Sequence, residues 1–175
     1  LDAKKDAIVK IQDPTHIKTI VLSPATLFLS SLSHPIINPH MVAISIFGRI
    51  NFINSINEGL NKSQFFKMNS QVNGEYFFEE INELITIIRE NRNKIYFFGN
   101  GASAAFANHM ALDFSKNGKI LSRSLSDSAF LTALSNDYSF EEAMVEYLKI
   151  EGVSENDLVI TISSSGNSQN VLNVL

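Results

Sequence analysis

Cysteine and tryptophan are absent, proline occurs four times, and only 18% of the 175 residues are charged. Without cysteine there is no disulfide framework, no thiolate metal site and no cysteine nucleophile. A cysteine-free chain suits the cytoplasm. The sparse charge sums to −4 at pH 7, which argues against a general nucleic-acid binder, since that role needs a basic face. A membrane span is also missing. Thr19–Gly48 holds no Asp, Glu, Lys or Arg, but it is broken by Pro24, Pro35, Pro39, His34, His40 and five serines. A span needs roughly 20 mostly apolar residues in a row. The start also lacks the charged, apolar, small-residue order of a signal peptide. Apolar residues are plentiful, at 45%, which rules out a wholly disordered chain and leaves a single core as the expectation.

Residues 1–45 form an unassigned appendage, or the end of a preceding segment. From 46 to 175 the pattern is easier to read. Phe52, Ile53, Ile56 and Leu60 predict a short amphipathic helix, followed by a polar linker near Asn69–Gly74. Phe77, Phe78, Ile81, Leu84, Ile85 and Ile88 recur at helical spacing and predict a helix over about 76–92. Strands then alternate with helices. Ile95–Phe98 is a short apolar run of the buried parallel kind, and Ala104–Phe114 reads as a helix. Lys119–Leu125 is a weaker strand. Ser139 and Glu142 have capping-box spacing and start a helix that runs to about Ile150 and stops at Gly152. Leu158–Ile162 is the clearest strand. This alternation predicts an α/β fold with a doubly wound parallel sheet, of which the chain carries the first three strands. Opening on Leu1 and stopping inside the periodic stretch Asn170–Leu175, the sequence reads as truncated at its C-terminus.

Ligands of such sheets bind at the carboxyl ends of the strands, where two unusual loops fall. Ser163-Ser-Ser-Gly-Asn-Ser168 lies between a buried strand and a helix start. There the unpaired N–H groups and the helix dipole favour an anion. Hydroxyls on Ser163, Ser165 and Ser168 add neutral donors, and Gly166 allows close approach. A phosphate monoester is the natural occupant. A helix cap with incidental serines is the plainer alternative. The earlier loop, Gly99-Asn-Gly-Ala-Ser103, fits the dinucleotide fingerprint through Gly99-x-Gly101-x-x-Ala104. Its acidic partner, Asp127, comes somewhat late, and that reading does not account for the second loop. On the following helix His109 and Asp113 stand four residues apart and share a face. They can hold a divalent metal such as zinc, act as acid and base on a carbonyl compound, or simply bond each other. Asn136-Asp137-Tyr138 reads as a turn that can reach the same crevice.

Lys94-Ile-Tyr-Phe-Phe-Gly-Asn-Gly-Ala-Ser103, then His109 with Asp113, then Ser135-Asn-Asp-Tyr138, then Ile162-Ser-Ser-Ser-Gly-Asn-Ser168 resemble the sugar isomerase (SIS) domain. Within that family they are similar to the phosphoheptose isomerase branch. The match covers roughly residues 50–175. The resemblance implies a flavodoxin-like sheet flanked by helices, and a homotetramer with active sites between subunits. It implies the interconversion of sedoheptulose 7-phosphate and D-glycero-D-manno-heptose 7-phosphate through an enediol, feeding heptose into lipopolysaccharide or capsule. Asn100, Gly101, Ala102 and Ser103 would line the sugar, with Asn136 and Asp137 also touching it. Ser163, Ser164, Ser165 and Ser168 would hold the phosphate. His109 would ligate zinc, one ion per subunit, and Asp113 would be both metal ligand and acid/base. Neither nucleic acid nor membrane is an implied partner. Ala102 stands where the family has a second glycine, and Asp113 where it has Glu. The family's distal Gln and His, which complete the metal site, would lie beyond Leu175. A non-catalytic phosphosugar binder of the replication-initiator-associating type is the rival within the same family.

Overall fold

The computed structural model describes residues 8–11, 18–22, 61–67 and 70–175, the first two stretches as strands only. The helix predicted around Phe52–Leu60 and most of the uncharged run lie outside the described residues. The chain order is β1 (Ile8–Ile11), β2 (Lys18–Leu22), β3 (Gln64–Lys67), β4 (Ser70–Val72), α1 (Gly74–Glu90), β5 (Lys94–Gly99), α2 (Ala102–Lys116), β6 (Leu121–Ser124), α3 (Ser128–Asp137), α4 (Ala143–Glu151), β7 (Leu158–Ile162) and α5 (Gln169–Leu172). The strands form one sheet in the order β4-β3-β1-β2-β7-β5-β6.

The predicted parallel arrangement holds for β7, β5 and β6, and β2, from the segment left unassigned, joins them in parallel beside β7. Two antiparallel pairings, β1 with β2 and β3 with β4, make the far side of the sheet mixed. The polar linker expected near Asn69–Gly74 is therefore corrected in part: Ser70–Val72 is a strand, paired with Gln64–Lys67. Phe65 explains the hairpin. Its ring packs 5.1 Å from Phe77 and 5.5 Å from Phe78 at the start of α1, so the hairpin is held by an aromatic cluster.

Alternation along the strands sorts the core into two layers. Ile95 and Phe97 of β5 and Leu158, Ile160 and Ile162 of β7 join Phe77 and Ile88 of α1 and Ala107 and Ala111 of α2 on one face. Tyr96, Phe98 and Val159 pack on the other, against Leu134 of α3, Met144, Tyr147 and Leu148 of α4 and Val171 of α5. Helices thus cover both faces, as a doubly wound sheet requires. Local signals set the helix ends. The Asn73 side chain accepts from the Tyr76 N–H at 2.7 Å and caps α1. The Ser139 hydroxyl accepts from the Glu142 N–H at 3.2 Å but closes only the turn before α4, which begins at Ala143 rather than at Ser139 and has no side-chain cap; Gly152 ends it. Among the described residues no helix is long and apolar enough to cross a membrane.

Candidate functional site

Gly99 pairs with Ile162, so β5 and β7 end level with each other and release their loops side by side. The chain runs from β5 out to β6 on one side and later back to β7 on the other. That reversal is the switch point where open α/β sheets bind ligands. Glycine is required at both ends of the first turn. A Cβ on Gly99 would lie 2.7 Å from the Ser103 carbonyl, and Gly101 has φ +55° just before α2. The second loop braces itself: the Ser163 hydroxyl accepts from the Gly166 N–H at 3.0 Å, and the Ser165 hydroxyl from the Asn167 N–H at 3.2 Å. Ser164 and Ser165 are exposed, Ser163 and Ser168 half-buried. All four line one short turn, without a cationic side chain within it.

Beside the first loop lies a cavity of about 160 Å³. Its polar side is Asn100 and Asn108; its apolar side joins strand and helix residues already described to Leu125, Leu131, Phe140 and Met144. Whole small-molecule pockets run about 300–1,000 Å³, so this one suits one end of a ligand. These last four apolar side chains were not anticipated from the sequence. They come from the segment after β6, from α3, from the approach to α4 and from α4 itself, whose convergence depends on tertiary packing.

The other anticipated residues are distributed as follows. Gly101 lines the cavity, whereas Ala102 is exposed at the first position of α2. Ser103 is buried beneath the loop, its N–H donating to the Asn100 carbonyl at 3.0 Å. Asn136 and Asp137 are not in a turn before α4; they form the last turn of α3, exposed, with Asn136 Nδ2 donating to Asp137 Oδ1 at 3.0 Å. Leu131, not this pair, reaches the cavity from α3. Asp127, the acidic residue considered for a dinucleotide ribose, instead caps α3 by accepting from the Ala129 and Phe130 N–H groups.

His109 and Asp113 do meet: Nε2 and Oδ2 are 3.2 Å apart, with side chains 56% and 43% exposed. Asn117 Nδ2 donates to the other Asp113 oxygen at 3.2 Å. The pair does not face the cavity. Asn108 lines it, and the next residue lies roughly 100° further round the helix. Two donors of one tetrahedral zinc stand roughly 3.3 Å apart, so the spacing and the N/O chemistry fit that ion. A structural or catalytic zinc needs at least three protein ligands, and among the described residues no cluster of three His, Cys, Asp or Glu forms. The pair supplies part of a metal site only.

A doubly wound domain with a serine-rich loop and a glycine turn at its switch point defines an α/β module built to bind a ligand at its strand ends. Residues 73–175 match the SIS domain family, and the chain belongs to it. Curated relatives include phosphoheptose isomerases of Helicobacter pylori strain Shi470, 43% identical over 89 residues, and of Thermodesulfovibrio yellowstonii, 37% identical over 120 residues. These alignments cover 47% and 65% of this chain, and 46% and 57% of those proteins. The chain thus spans about half the length of the curated relatives it matches. A solved phosphoheptose isomerase from Neisseria gonorrhoeae superposes with a TM-score of 0.54 at 30% identity, covering 71% of this chain and 62% of that one.

Proposed function

We propose that the chain carries the sugar-phosphate half of an aldose–ketose isomerase acting on sedoheptulose 7-phosphate. The observation that supports this most is the level ending of β5 and β7, which sets the glycine turn and the serine loop next to each other. In this reading the serine loop takes the phosphate through hydroxyl and N–H donors, and the cavity edge at Asn100 and Gly101 takes sugar hydroxyls. Asp113 is the proposed base. It removes a proton from C1 of the ketose and returns it to C2, while a second proton passes from O1 to O2 through the enediol. His109 and Asn117 fix the carboxylate from both sides. Were zinc bound, His109 Nε2 and Asp113 Oδ2 would be two of its ligands in place of their mutual contact, and the ion would supply Lewis-acid stabilisation of the enediolate.

The outward set of His109 and Asp113 favours a homotetramer with sites shared between subunits. The cytoplasm and a role in heptose supply for surface polysaccharide go with this reading. The same outward set, with Asp one methylene shorter than Glu, favours a second reading: a phosphosugar binder that does not isomerise.

One experiment separates the two. The intact protein with zinc is mixed with sedoheptulose 7-phosphate and followed by 1H and 31P NMR. New aldose signals support the isomerase; a broadened 31P line alone supports the binder; an unchanged spectrum overturns both. Asp113→Ala is expected to cut turnover by about 100-fold or more while the 31P broadening remains.

A further inference from the structure

We infer that Asn170 is a positioning residue that locks Asn100, and with it the glycine turn, to the segment after the serine loop. The inference rests on the phosphosugar reading of these loops. Asn100 Nδ2 donates to Asn170 Oδ1 at 2.8 Å, and Asn170 Nδ2 donates to Asn100 Oδ1 at 2.8 Å. Two side-chain amides thus meet head to head across 70 residues of sequence. Asn170, in the first turn of α5, is only 3% exposed, whereas Asn100 is half-buried and lines the cavity.

The asymmetry in burial assigns the roles. A buried amide is retained where its bonds are made, and both bonds identified for Asn170 go to Asn100. Each amide has two N–H groups and two carbonyl lone pairs, so the ring leaves Asn100 one N–H and one lone pair to spare. These are held in a fixed direction at the cavity edge, where a sugar hydroxyl can both donate and accept. Neither amide carries charge. The latch therefore joins the loops without adding a fixed anion or cation beside a dianionic phosphate. It also does not titrate, so its hold is the same across the neutral range. Sheet pairing sets the two strand ends level only as far as Gly99 and Ile162. The amide ring extends that alignment into the loops themselves.

The test is a double-mutant cycle on the intact protein, with Asn100→Ala, Asn170→Leu and the two combined. Leucine keeps the branched four-atom side-chain skeleton of Asn170 and removes its hydrogen bonds. Two readouts are taken: the Kd for sedoheptulose 7-phosphate by 31P titration, and hydrogen exchange of the Gly101–Ser103 main-chain amides without ligand. Asn170→Leu alone is expected to weaken binding about tenfold and to speed that exchange about tenfold, with β5 amides unchanged. In the Asn100→Ala background the same substitution should have no further effect on Kd, because its partner is gone. Independent, multiplying effects on Kd would show a merely structural Asn170 and overturn the proposal. So would first-loop exchange unchanged by Asn170→Leu. Failure of the wild-type protein to bind the sugar phosphate would instead sink the phosphosugar reading. Exchange would then still decide whether the latch exists.

Discussion

Ala102 shows how one methyl group changes a loop without closing it. It stands where the SIS pattern has glycine, but its side chain is exposed and its backbone already belongs to α2. The strained position is its neighbour Gly101, at φ +55°. Alanine therefore favours the helix start at no steric cost, and Ala102→Gly should lower stability by about 0.5 kcal/mol in urea titration. Asp113 is the contrasting residue. The four-residue spacing correctly foretold its contact with His109, yet not which side of α2 the pair would take. Helical periodicity fixes which residues share a face, and the identity of the inward face depends on what packs there. Ser103, Ala107 and Ala111 take that face here, leaving His109 outward.

Elements with strong periodicity matched their predicted positions. Leu158–Ile162 is a strand over that very span, and α1, α2 and α4 differ from expectation by a few residues at their ends. The missed elements lack a local signature. Helix α3, Ser128–Asp137, is short, with Leu134 its one fully buried side chain. The apolar spacing is too sparse to mark a stripe, and its cap, Asp127, resembled a loop acid. Strands β3 and β4 owe their pairing to the aromatic cluster on α1. At the opposite end of the sheet from the loops, one carboxylate ties two elements together. Asp157, buried, accepts from the Lys94 N–H at 2.7 Å and from the Ser154 N–H and hydroxyl at 2.9 and 3.1 Å. Removing it strands the Lys94 donor where β5 begins. Asp157→Ala should cost about 2–3 kcal/mol in chemical unfolding. Hydrogen exchange of the Gly101–Ser103 amides should be unchanged in the protein that remains folded, since the contact lies a full strand length from the loops.

For the molecule as a whole, alkaline pH tests the second core layer. Burial, with the Glu151 carboxylate adding to it, pushes the Tyr147 phenol up to about 12. The fold favours the protonated phenol, so its contribution is complete below the ordinary value near 10 and is lost as pH rises through 12. Unfolding free energy should fall across that window, and Tyr147→Phe should flatten the fall, as read by urea titration at a series of pH values. The same layered sheet has a consequence for synthesis. Lys18–Leu22 lies beside Leu158–Ile162 in parallel register. The earlier strand thus waits for a neighbour that is made only near residue 160. Until then its edge is open to other chains, and no local contact can close the sheet early. Chains stalled or cut between these two strands should therefore be the aggregating species in a cell, as sedimentation of truncated chains would show.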